Sequence, residues 1–300
     1  MEWKGRRESD NVEDRRGGGA AKTGGISILG LVVAFVAWKF FGADPQQAYQ
    51  VTKQLTTQQQ PASTQAIQQP TAEQQEAKQF VATVLADTED TWKEIFKQQG
   101  LQYQPTKLVL YHQSTPTACG TGQSAMGPFY CPSDQRVYLD TEFFVEMRQQ
   151  FGISGEKNST QLSRQDQAGD FAMAYVIAHE VGHHVQNLLG ISEKVYAQRQ
   201  QLSQKQSNQL SVKQELQADC FAGMWARYNN QRTHFLQQGD VEEAIDAAEK
   251  IGDDYLQKRS SGQIVPDSFT HGSSQQRIKW FQQGLNAQDL SACDTFQQRL

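Results

Sequence analysis

Apolar residues recur at helical spacing in several stretches of the chain. Phe80, Val81, Val84, Leu85, Thr88, Trp92, Ile95 and Phe96 mark one face of a helix. Thr71-Ala-Glu-Gln74 is a capping box that starts it, and Gly100 ends it. Two short β-branched and aromatic runs, Lys107–Tyr111 and Arg136–Asp140, predict strands. Thr141 to Phe151 is a short amphipathic helix. Ser163-Arg-Gln-Asp166 opens a central helix that stops at Gly190. A polar helix from Ser192 to about Lys205 follows, and another starts at Ser211-Val-Lys-Gln214. A further helix begins at Asp240 and ends at Gly252, and Ser273 caps the last one. The pattern predicts an α+β fold: a mostly helical domain with a small sheet beside the central helix.

The hydrophobic pattern changes character in the first 70 residues. Residues 1–25 are charged and rich in glycine, which predicts a disordered leader. Ile26 to Gly42 is continuously apolar and reaches the lower limit for a spanning helix. Lys39 beside Trp38 and Phe40 suits a membrane interface. The run has no polar face, which disfavours a buried soluble helix. A cleaved signal peptide is the rival reading, and the long leader favours a retained anchor. Residues 43–70, rich in Gln, Thr and Pro, read as a flexible linker. The folded domain is then 71–300. Basic residues before the span predict a single-pass membrane protein, with its N-terminus cytoplasmic and its domain extracytoplasmic.

Composition adds two constraints. Only 37% of the 300 residues are hydrophobic, so part of the chain must be non-globular. A net charge of -5 gives no basis for nucleic-acid binding. The four cysteines form no C-x-x-C pair, and their even number in an exported chain suggests disulfides. Cys119 and Cys131 bound one Gly/Ser/Pro loop and are expected to pair. Cys220 and Cys293 form a possible second pair.

The chemistry concentrates in His179-Glu180-Val-Gly-His183. Two histidines four apart share one helix face and suit two corners of a tetrahedral zinc site. Glu180 is then placed to take a proton from an activated water. Gly182 in mid-helix costs about 1 kcal/mol relative to Ala, which implies a close approach there. A third ligand is expected from Glu215 or Asp219, which share a face of the next buried helix. Glu215 on the metal, with Asp219 accepting the N–H of a liganding histidine, is the preferred assignment, and the reverse is open. His271 precedes a helix N-terminus, where it could donate to a developing oxyanion. Arg277 orients the site or pairs with Asp219. His184 lies about 100° around the helix from His183, so it contacts the site indirectly or faces solvent. Ligand type alone leaves Mn or Co open as replacements for zinc.

These residues carry a resemblance. His179-Glu-x-x-His183 followed by Glu215-x-x-x-Asp219 is similar to the glutamate-type zincins. The wording from Asp166 to Gln186, with Glu215-Leu-Gln-Ala-Asp-Cys-Phe-Ala-Gly223, resembles the bacterial "putative neutral zinc metallopeptidase" family (YpfJ-like). The segment around His271 and Arg277 is similar to a T-H-P-P-x-x-x-R-I stretch of membrane-associated zincins, with Gly272 and Ser273 where the prolines would stand. The resemblance implies a membrane-anchored zinc metallopeptidase, in a bacterium at the inner membrane with the domain in the periplasm, and brings no substrate; the site chemistry predicts an endopeptidase that hydrolyses peptide bonds of a protein or peptide substrate. The other class to weigh is a non-catalytic envelope binding or assembly protein with a structural zinc site.

Overall fold

The computed structural model describes residues 1–16, 71–145 and 169–297. The expected anchor at 26–42, the linker at 43–70 and the capping box at Ser163 lie outside the described residues. Among the described residues, no helix is long and apolar enough to cross a membrane.

The N-terminal segment departs from the expectation of a disordered leader. Strand β1 (Val12–Asp14) pairs in parallel with β2 (Lys107–Tyr111), Val12 opposite Leu108 and Asp14 opposite Leu110. Helix α1 (Ala72–Gln98) supplies acids to the leader's arginines: Arg6 reaches Asp87 at 2.7 Å, and Arg7 reaches Asp90 at 2.7 Å and Glu89 at 3.1 Å. Trp3 is buried edge-on against Phe80, with ring centroids 5.4 Å apart. Arg6 and Arg7 are thus neutralised by α1, Arg15 and Arg16 by the leader's own Glu13 and Asp14, and Met1, Trp3 and Val12 provide the apolar anchors. The folded unit is residues 1–16 together with the chain from Thr71, not 71–300 alone.

The sheet is larger than two strands. Its order is β1-β2-β6-β5, with β6 (Arg136–Asp140) parallel to β2 and β5 (Phe129–Cys131) antiparallel to β6. A separate hairpin, β3 (Ser114–Thr117) and β4 (Gly120–Gln123), lies between them in sequence. Both disulfides are present, Cys119–Cys131 and Cys220–Cys293. The first ties β5 to the hairpin turn.

Two helices carry the candidate chemistry. Helix α2 (Asp170–Leu188) contains the paired histidines, and nearly all of it is buried. After α3 (Ile191–Arg199), helix α4 (Gln204–Thr233) runs 30 residues and carries Glu215 and Asp219. It starts earlier than Ser211, because Ser203 and Gln206 form a capping box of their own. Gly182 of α2 faces Ala218 of α4. A Cβ there would stand 3.1 Å from the Ala218 carbonyl oxygen, so the glycine is what lets the two backbones approach. That contact sets the histidines opposite Glu215.

Helices α5 (Asp240–Lys250), α6 (Asp253–Ser261) and α7 (Ser274–Asn286) complete the domain. α7 lies directly against α4. At Gly284 a Cβ would collide with the Cys220 carbonyl, and at Gly223 with the Phe281 carbonyl. The Cys220–Cys293 bridge fastens the segment after α7 to the same part of α4. α7 thereby brings Arg277 under the histidines.

Candidate metal centre

His179, His183 and Glu215 come together as the sequence predicts, with one ligand atom from each within 4.8 Å of the others. Glu215 Oε2 is 3.2 Å from His179 Nε2, and Glu215 Oε1 is 3.5 Å from His183 Nε2. Two ligands about 2.1 Å from one tetrahedral ion stand about 3.4 Å apart, so the donor set fits zinc. Three protein ligands leave one position open, the arrangement of a catalytic site.

The second nitrogen of each imidazole is engaged. His179 Nδ1 donates to Asp219 Oδ1 at 2.8 Å. His183 Nδ1 donates to Gln186 Oε1 at 2.9 Å. Each bond fixes the ring and leaves the Nε2 lone pair for a metal. Gln186 is held in turn by donating to the Gln214 carbonyl at 2.7 Å and to Gln217 Oε1 at 3.1 Å. Asp219 also accepts from Tyr175 Oη at 2.6 Å and from two nitrogens of Arg277. Glu215 thus faces both histidines, while Asp219 meets the far nitrogen of His179 and pairs with Arg277.

Electrostatics follow from these contacts. Burial would push Asp219 up, but Arg277 and His179 outweigh it and hold the carboxyl at about 2. Burial would lower His179, yet Asp219 and Glu215 carry it up to about 10. Burial also opposes the ionised form of Glu215, but the two histidines keep its pKa well below the usual range. Glu180 is 7% exposed, and burial raises its carboxyl, the direction a proton acceptor and donor near neutral pH requires.

An open cleft of about 640 Å³ lies over these groups. Met126, Phe129, Tyr130, Phe143, Leu256 and His271 line it together with the site residues. His184 is buried rather than solvent-facing. Its Nε2 donates to the Gln104 carbonyl at 2.7 Å, so Nδ1 accepts from Tyr130 Oη at 3.0 Å. It links edge strand β5 to the helix of the histidines, and its burial lowers its pKa. His271 reaches the cleft as expected, beside Asp253, whose carboxylate contacts Nδ1 at 3.1 Å.

Sequence reasoning missed Tyr175, Gln186 and Asp253. The first two carry a local signal: Tyr175 stands four residues before His179 and Gln186 three after His183, on one helix face. Asp253 has none, since it lies 18 residues from His271.

A histidine pair and a glutamate from a second helix form a three-donor site that can hold a metal, with the acid Glu180 beside it. The profile of the "putative neutral zinc metallopeptidase" family matches residues 1–296, and the chain belongs to that family. It is 47% identical over 306 residues to the uncharacterized protein YpfJ of Escherichia coli strain K12, covering 99% of each chain. It is 38% identical over 230 residues to an uncharacterized protein of Mycobacterium bovis, covering 74% of this chain and 72% of that one. No solved structure matches significantly.

Proposed function

We propose that the chain is a zinc-dependent endopeptidase that cleaves extended segments of protein substrates. The observation that carries this reading is Glu180, a buried carboxylate in the cleft beside a three-ligand site. A structural zinc is normally closed by four ligands and needs no base. When bound, zinc supplies Lewis-acid chemistry, activating water and polarising the scissile carbonyl. Glu180 accepts a proton from the attacking water and returns it to the amide nitrogen as the C–N bond breaks. His271 Nε2, on the ring edge away from Asp253, donates to the developing oxyanion.

β5 supports the substrate class. It pairs with β6 on one side and is an edge strand among the described residues. Phe129 and Tyr130 of this strand line the cleft, so an extended peptide could add along its free edge with apolar side chains against them. The two disulfides fit an oxidising, extracytoplasmic compartment.

The test is metal dependence. Cleavage of an unfolded protein should be lost on chelation and restored by one zinc per chain. Full activity in the chelated protein would overturn the proposal.

A further inference from the structure

Asp253 is the first residue of α6, and its side chain is 12% exposed. Its Oδ2 accepts three successive backbone N–H groups, from Thr270 at 2.8 Å, His271 at 2.7 Å and Gly272 at 3.0 Å. Its Oδ1 accepts from the His271 ring at 3.1 Å, and its own N–H donates to the Gly272 carbonyl at 2.9 Å. One residue thus holds the loop backbone and the imidazole together. Gly272 is needed for this turn: its φ is +99°, and its Cα faces Leu216 and Val212 of α4. Successive N–H groups converging on one oxygen form an anion nest, here filled by the protein's own carboxylate. Residues 270–273 include no proline to stiffen the turn, and Asp253 supplies the constraint instead.

We infer that Asp253 is the positioning residue for His271: it keeps the proton on Nδ1 and turns Nε2 toward the cleft. The inference rests on reading His271 as the group that meets the oxyanion. A merely structural role would confine Asp253 to bracing residues 270–272, with no effect passing through the imidazole.

The two roles separate in a double-mutant cycle on the full, zinc-loaded chain. Asp253→Asn retains an acceptor for the loop but loses the carboxylate. It should lower kcat about 10- to 100-fold with KM little changed and zinc content intact. In the His271→Ala background the same substitution should cost almost nothing. An equal loss in both backgrounds would overturn the inference. Should Asp253→Asn fail to fold, or should the parent cleave nothing, long-range 1H–15N correlation on the unsubstituted protein decides instead. A proton on His271 Nδ1, bonded to carboxylate, is the expected result; an unprotonated Nδ1 would overturn it. A silent parent with the expected tautomer would count against the peptidase reading and leave the positioning role standing.

Discussion

Arg277 grips Asp219 with two nitrogens: Nε meets Oδ2 at 2.9 Å and Nη2 meets Oδ1 at 2.8 Å, both side chains being buried. Asp219 in turn orients His179. Removing the cation by Arg277→Met leaves a buried carboxylate uncompensated, which should cost about 3–5 kcal/mol in urea unfolding of the metal-free protein. Pairing it with Asp219→Ala should recover part of that loss. Zinc affinity should fall about 10- to 100-fold in either single variant, because His179 loses its fixed orientation.

The N-terminal segment is integral to the domain. Trp3 is 6% exposed and packs on Phe80. Trp3→Ala in the full chain should cost about 3–5 kcal/mol in chemical denaturation. A cost below about 1 kcal/mol would mean that residues 1–16 do not fold onto α1.

The pairing of β1 with β2 predicts that residues 1–16 and the rest of the domain are reached from the same side. Epitopes placed at Gly5 and Gly262, both turn glycines with open space beside them, should be reached by one membrane-impermeant probe in the same cell preparation. Access to one only after lysis would contradict the pairing of β1 with β2.

Much of the site was legible because its chemistry is local. His179 and His183 are one helical turn apart, Glu215 and Asp219 likewise, and such spacing survives any tertiary arrangement. Helix α1 and strands β2 and β6 were legible for the same reason. The leader was not. Arg6 and Arg7 read as solvated or as a topology signal, because their partners Asp87, Glu89 and Asp90 lie some 80 residues away. β5 is only three residues long, too short to show a period. Asp253 acts on His271 across a loop, which no spacing rule reaches.

Zinc uptake should release protons. The folded pKa of His179 stands at about 10, above the ordinary 6.5. In the metal-free protein its contribution to stability is therefore full below pH 6.5 and is lost as pH rises through about 10. Zinc must displace that proton, so affinity should rise with pH between 6 and about 9. Calorimetry at pH 7 in buffers of different ionisation enthalpy should show a net release of about one proton or more per zinc. A release of none would mean that the imidazoles are neutral before the metal arrives.

The central claim is that Glu180 moves the proton in peptide-bond hydrolysis. The full chain, loaded with one zinc, is incubated with a mixture of unfolded proteins beside its Glu180→Gln variant, and the fragments are mapped by mass spectrometry. The account predicts cuts by the parent that fall by about 100- to 10,000-fold in the variant, while both proteins keep their zinc. Equal cutting by the two, or none by a zinc-loaded parent, would contradict it.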